Sequence, residues 1–249
     1  MKRKILKATT VKTITIRTLA LLIMLSAACQ AQDAKAPYPT MAPLEQYLIA
    51  NRDNEIALAR SAAPESISAD ADILVLGRHG YETAVKGKNG FVCFAQRSWA
   101  AAPDDAEFWN PKLRAPICLN PAAVQSFLPL IIKKTEWVLA GRSKAQIAED
   151  LQAAFDKKDF PTLEPGAMSY MQSKQGYLSD SDNHGGHWHP HVMFFVPLAE
   201  AQTWGANLPG SPMLATEVPL ERMTIFMIPV AKWSDGTPDD GQPDLQHKH

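Results

Sequence analysis

The sequence lacks an apolar run near its start that is long enough to span a lipid bilayer, and its first 28 residues lack acidic side chains. The apolar run at residues 19–25 is short, because a transmembrane helix needs ~20 such residues. Six Lys and Arg residues precede this run, and Ser26, Ala27 and Ala28 follow it. A basic start, a short apolar run and small residues predict a secretory signal peptide over residues 1–28.

Cysteine is scarce, with three residues in the chain of 249. The first, Cys29, follows Ser26-Ala27-Ala28, and these four residues resemble the lipobox of bacterial lipoproteins, although Ser26 stands where that family usually has Leu. The resemblance implies a lipid anchor on Cys29, which would become the new N-terminus. Cleavage by an ordinary signal peptidase after Ala28 or Ala31 is the alternative. Both routes predict an exported protein, in the periplasm or on the outer surface.

An excess of basic residues is also absent. The whole chain has 25 Lys plus Arg against 26 Asp plus Glu. Because the six charges within residues 1–28 are all positive, the rest of the chain keeps 19 basic against 26 acidic residues, a net charge of −7. An acidic protein without a basic stripe is poorly suited to phosphate backbones, so we exclude nucleic acid as a partner.

The two remaining cysteines, Cys93 and Cys118, both lie in stretches that are typical of ordered structure. In an exported protein we expect them to form a disulfide with each other. A nucleophilic or metal-bound Cys93 is the alternative.

The domain organisation follows from composition. Residues 29–43 are rich in Ala and Pro and predict a flexible tether, residues 44–235 predict a single domain, and residues 236–249 predict a disordered tail. Strand-like segments, then two helical segments, then further strand-like segments indicate an α+β domain. We expect a mostly antiparallel sheet with a helical pair between two groups of strands. There is no internal repeat.

The first group of strands contains a strong turn signal at Asn89-Gly90. With a second turn at Arg78-His79-Gly80, it predicts a three-stranded antiparallel meander that carries Cys93 on its last strand. A proline-rich stretch follows and predicts a long ordered loop fastened by Cys118.

The helical pair has clear boundary signals. Asn120 and Pro121 begin the first helix, which Pro129 should kink, and Ser143 with Gln146 forms a capping box for the second. The later strands are predicted at residues 167–172, 189–196, 213–218 and 221–230.

The densest chemistry lies in the stretch HGGHWHPHVMFFVP, which holds four of the seven histidines. His187, His189 and His191 alternate along a strand candidate, so their imidazoles would share one face. Neighbouring members would lie ~6.6 Å apart along the backbone, which suits two nitrogens that bind one ion. We therefore predict a site for zinc or another divalent transition metal among His184, His187, His189 and His191. Hydrogen-bonded histidines at a strand rim are the alternative.

As a whole, the chain is similar to a family of exported bacterial proteins with no assigned activity. The similarity is greatest in the segments GYETAVKGKNGFVC and GHWHPHVMFF. It implies export but supplies no mechanism.

A second resemblance concerns the segment LVLGRHGYETA, which is similar to the opening strand and Arg-His-Gly turn of the histidine phosphatases. It implies that His79 is phosphorylated, that Arg78 holds phosphate, and that His184-Gly185-Gly186 supplies a second histidine. The context departs from that family, because Tyr81 stands where Glu or Gln is expected and an antiparallel hairpin continues where a parallel sheet is expected.

Two functional classes remain at this point. The first is an exported metalloprotein, with hydrolase activity if a metal-bound water is the nucleophile and Glu82 or Asp182 is the base. The second is a non-enzymatic binding protein of the periplasm or surface, whose histidines bind a metal or small molecule or stabilise the fold. Solvent access at the histidines distinguishes the two classes, since catalysis needs an open coordination position.

Overall fold

The structure is a computed structural model, in which residues 37–180 and 188–240 are described. The strands in these ranges form one sheet, and no helix in them is long and apolar enough to cross a bilayer. The strands are β1 (Asp72–Gly77), β2 (Gly80–Val85), β3 (Val92–Gln96), β4 (Ala115–Leu119), β5 (Met168–Met171), β6 (His191–Pro197), β7 (Leu214–Val218) and β8 (Met223–Pro229). The helices are α1 (Arg52–Arg60), α2 (Glu65–Ser68), α3 (Pro121–Ser126), α4 (Leu128–Leu139) and α5 (Lys144–Lys157), with 3-10 turns at Leu44–Gln46, Ser98–Ala100, Ala201–Trp204 and Pro219–Glu221.

The eight strands follow the order β2-β1-β3-β4-β5-β6-β8-β7, and every neighbouring pair except β1 and β3 is antiparallel. Helices α3, α4 and α5 connect β4 to β5, between the two groups of strands. The predicted α+β class with a mostly antiparallel sheet is therefore confirmed.

The predicted three-stranded antiparallel meander was wrong: the β1–β2 hairpin is present, but β3 lies next to β1, in parallel, and not next to β2. After the β1–β2 hairpin, the chain passes around the start of β1, where the backbone N–H groups of Lys88 and Asn89 donate to the Asp70 carbonyl at 2.8 and 3.2 Å. A side chain at Gly87 would place its Cβ 2.1 Å from that oxygen, so only glycine permits the passage. The Asn89 side chain accepts from the Phe91 N–H at 3.0 Å, which closes a local turn rather than a hairpin.

The helical pair begins where the sequence predicts. The Asn120 side chain accepts from the Ala123 N–H at 2.9 Å, and the capping box of Ser143 and Gln146 is present. Pro129 lies in the first turn of α4, so the predicted kink is a break between two helices, α3 and α4.

A disulfide joins Cys93 to Cys118, as predicted. The two residues are direct partners in the β3–β4 ladder, with Cα atoms 3.9 Å apart. Cys118 therefore lies on a strand, and the expected long loop ends before it. Around the bridge, Ala59, Ala62 and Ile73 form a buried core with α1 against the sheet.

The two faces of the sheet have different covers. Cys118 pairs with Tyr170, and both face the core beneath α1. The opposite face carries His191, Met193 and Phe195 of β6, because alternate residues of a strand point to opposite sides. We call this second side the cleft face.

The described part of the chain extends to Asp240 and so includes residues 236–240, the first residues of the predicted tail. The Trp233 N–H donates to the Thr237 carbonyl at 3.0 Å, and the Asp239 N–H donates to the Ala231 carbonyl at 3.0 Å. This short turn brings Asp239 to the start of β6, next to the histidine stretch.

Candidate ligand-binding site

The four predicted metal ligands fall into two groups. His184 and His187 lie outside the described residues, whereas His189 and His191 lie within them. In the described ranges, no three or more His, Cys, Asp or Glu residues lie together as a metal site would require. The question of a metal therefore begins with His189 and His191.

His189 and His191 have different surroundings although one residue separates them. The His189 side chain is 50% exposed, and its Nδ1 lies 2.5 Å from Oδ2 of Asp239. His191 is only 4% exposed, and its Nδ1 lies 2.7 Å from the backbone oxygen of His189. The shared face predicted for them does not give them a shared environment.

The hydrogen bond of His191 decides its tautomer. A carbonyl oxygen can only accept, so Nδ1 carries the proton and donates, and Nε2 keeps its lone pair. Burial lowers the pKa of His191, and the bond to the His189 carbonyl offsets only part of that effect. Nε2 is buried and has no hydrogen-bond partner among residues 37–180 and 188–240. His191 therefore presents a neutral, unsatisfied acceptor.

Aromatic residues hold the imidazole of His191. Trp188 meets it edge to face, with ring centroids 5.8 Å apart, and Trp188 meets Trp233 in the same way at 5.1 Å. A Cβ at Gly176 would lie 3.1 Å from the ring of Trp188, so a larger residue there would displace this support. The ring of His191 is thus fixed by packing on one side and by a hydrogen bond on the other.

A cleft of about 700 Å³ lies on the cleft face, and His191 lines it. Its floor comes from β6 and β8, whose register sets Met193 opposite Met227 and Phe195 opposite Ile225. Phe127, between α3 and α4, stacks on Phe195 with centroids 4.1 Å apart. A volume of this size suits a small organic molecule.

Methionine is concentrated in this cleft. Four of the nine methionines line it, namely Met171, Met193, Met223 and Met227. Unbranched thioether side chains adapt to irregular shapes, which makes them suitable for an apolar ligand surface.

The segment from Arg97 to Ala102 forms one wall of the cleft. The fully buried Arg97 donates to the Tyr47 carbonyl at 2.6 Å and to the Glu55 carboxylate at 2.8 Å. Next to it, Trp99 donates from Nε1 to Thr135 Oγ1 of α4 at 3.0 Å. Between these two anchors, the buried Ser98 Oγ has no hydrogen-bond partner in the described part of the chain.

Lys134 connects this wall to the opposite one. Its Nζ donates to the carbonyls of Ala100 and Ala101 at 3.0 and 2.8 Å, and it forms a buried ion pair with Glu221. Glu221 ends the 3-10 turn that precedes β8. The ion pair therefore holds the two sides of the cleft at a set separation.

The opening of the cleft is acidic. Asp104, Asp105 and Glu217 line it and are exposed, and so are Leu214 and Thr216 of the edge strand β7. The carboxylates around the opening would disfavour the approach of an anion.

The other sequence-predicted residues lie elsewhere. Arg78 and His79 are exposed at the turn of the β1–β2 hairpin, where Arg78 pairs with Glu45 at 2.9 Å, and neither residue lines the cleft. Glu82 pairs with Arg52 on the surface, and Asp182 lies outside the described residues. The phosphatase-like set is therefore not assembled by the described residues.

No protein-family model, no curated protein and no solved structure matches this chain.

Proposed function

We propose that the protein is an exported binding protein that holds a small, largely apolar molecule in the cleft on the cleft face. The observation that carries this proposal is His191, which lines a cleft of about 700 Å³ and whose buried Nε2 has no hydrogen-bond partner among the described residues. A buried polar atom without a hydrogen bond costs ~1–3 kcal/mol, and a ligand that satisfies it would remove that cost.

The rest of the cleft supports the same proposal. Its floor is apolar and rich in methionine, and among its polar lining residues the buried His191 and Ser98 each carry a side-chain atom that has no hydrogen-bond partner in the described part of the chain. This combination is typical of small-molecule sites. Export is supported by the basic and apolar segments of residues 1–28 and by the disulfide between Cys93 and Cys118.

Binding of a neutral fluorophore whose emission depends on its environment, such as N-phenylnaphthylamine, tests the proposal. We expect saturable binding of one molecule per chain, and we expect Ile225→Glu to abolish it, because a carboxylate would then lie on the cleft floor. Ile228→Glu is the matched control, since Ile228 lies on the same strand and does not line the cleft. Equal binding by both folded variants would refute the proposal.

A metal site is the second candidate, because one observation favours it. Histidines that bind metal usually donate the other ring N–H to a carboxylate or a backbone carbonyl, and His189 and His191 have these two arrangements. Zinc or another divalent transition metal would then be bound by the Nε2 atoms of His189 and His191, with His184 and His187 as the further predicted ligands. Such an ion would activate a bound water if the protein is a hydrolase.

Elemental analysis of protein that lacks residues 247–249 tests this candidate, because His247 and His249 would otherwise bind metal irrelevantly. We expect one ion per chain, its loss in His189→Ala and its retention in His79→Ala. A metal-free protein that added zinc, copper or nickel does not stabilise would eliminate the metal candidate and leave the cleft proposal standing.

A further inference from the structure

We infer that the molecule held in the cleft is an uncharged amphiphile with a hydroxyl group, such as a long-chain alcohol, and that this hydroxyl donates to Nε2 of His191. The inference rests on the proposed binding function and names the chemical class of its ligand. Four features of the cleft carry it.

The first feature is the direction of the hydrogen bond. His191 Nδ1 must donate to the His189 carbonyl, which leaves Nε2 as an acceptor. An ether, ester or ketone oxygen has no hydrogen to donate to Nε2, whereas a hydroxyl group can donate one.

The second feature is the charge of the lining. Arg97 is the only cation among the described lining residues, and it donates to Glu55, Tyr47 and Ala95. The exposed carboxylates of Asp104 and Asp105 lie at the opening. A fatty carboxylate would therefore meet repulsion at the opening and find no available cation inside.

An ammonium head group is excluded at His191 for a related reason. The described buried carboxylate that lines the cleft, Glu221, already pairs with Lys134. A cation beside the neutral His191 would lose its hydration without an ionic partner.

The third feature is the distribution of polarity. The C-terminal end of β3 and the N-terminal end of β6 lie side by side, because β3 to β6 are successive antiparallel neighbours. Gln96, Ser98 and His191 consequently share one end of the cleft, while Ile225 and Met223 lie progressively farther along the strands from that end. An apolar floor with His191 and Ser98 at one end suits an amphiphile, since the buried Glu221 at the other end is already paired with Lys134.

The fourth feature is length. Lining residues come from six neighbouring strands, from Gln96 of β3 to Leu214 of β7. Five strand spacings of ~4.8 Å give a width of roughly 24 Å across the sheet. An elongated chain fits this shape better than a compact ring does.

The test is displacement of bound N-phenylnaphthylamine by decanol, decyl methyl ether and decanoate, which share an apolar chain and differ at the head. We expect decanol to bind ~3–10-fold more tightly than the ether, as one hydrogen bond permits, and decanoate to bind most weakly. In His191→Leu the alcohol and the ether should bind equally, while His79→Leu should keep the preference of the wild-type protein.

A second measurement does not depend on a variant that must fold. In protein with ¹⁵N-labelled histidine, the Nε2 resonance of His191 should move towards the position of a hydrogen-bonded acceptor when decanol is added, and should not move with the ether.

If alcohol and ether bind equally to the wild-type protein, or if decanoate binds most tightly, the inference is wrong while the proposed binding function stands. If the fluorophore binds in the cleft and none of the three displaces it, this inference also fails. If the fluorophore itself does not bind, both fail.

Discussion

The two halves of the sheet are built differently although they share one hydrogen-bonded ladder. In the first half, β1 to β4, every residue of β3 and β4 is buried, and the disulfide joins those two strands. In the second half, β5 to β8, the edge strand β7 is mostly exposed and the cleft face is lined by flexible methionines. We conclude that the first half supplies stability, whereas the second half keeps an incompletely packed surface that a ligand can fill.

The largest predicted effect concerns the connection between the cleft walls. Lys134→Met should reduce the free energy of unfolding by ~3–5 kcal/mol, because it leaves the buried Glu221 carboxylate without its partner. Chemical denaturation measures this loss. Lys133→Met is the matched control, since the adjacent Lys133 pairs with Glu136 on the surface and its removal should cost less than ~1 kcal/mol.

The double variant Lys134→Met with Glu221→Leu separates the unpaired charge from the loss of packing. It should recover most of the stability, because two apolar side chains replace both charges. No recovery would mean that Lys134 acts mainly through its bonds to the carbonyls of Ala100 and Ala101.

Local signals predicted the elements that local interactions determine. The caps at Asn120 and Ser143 each satisfy backbone groups a few residues away, so the sequence alone is enough to locate them. The Asn89-Gly90 signal failed because a tertiary contact prevails: Asp70 accepts from Lys88 and Asn89 and carries the chain to the far side of β1. Asp70 lies 18 or more positions from Lys88 and Asn89 in the sequence, so no short sequence window contains both sides of that contact.

The candidate site was predicted only in part for the same reason. The histidine stretch indicated His191, but its alternation did not show that His189 would be exposed beside Asp239, fifty residues later. Ser98 and the four cleft methionines had no distinguishing signal, since any methionine on an apolar strand has the pattern of an ordinary core residue. Their convergence depends on the register of several strands, which the sequence pattern does not reveal.

The difference in packing between the two halves of the sheet can be measured by making the same substitution at two isoleucines of the cleft face. Ile117 on β4 is fully buried, and Ile225 on β8 lines the cleft. Ile117→Ala should cost ~2–5 kcal/mol because it leaves a cavity in packed core, whereas Ile225→Ala should cost about 1 kcal/mol because it enlarges an existing space. Chemical denaturation gives both values, and equal losses would contradict the division of the sheet into packed and open halves.

The smallest predicted effect is a pH dependence from His191. Burial lowers its pKa in the folded protein below the ordinary value of 6.5, so the unfolded chain binds more protons between the two pKa values. Stability should therefore be unaffected by His191 above pH ~6.5 and should fall as the pH drops from there towards the lowered pKa.

Urea denaturation at several pH values between 5 and 8 measures this pH dependence, with the wild-type protein compared with His191→Leu, in which that part of the loss of stability should vanish. Met193→Leu, a neighbouring change in the same cleft, should keep the full dependence. If the stability difference between wild type and His191→Leu is the same at every pH, the imidazole is not held neutral by burial. The cleft would then lose the fixed acceptor on which its choice of ligand depends.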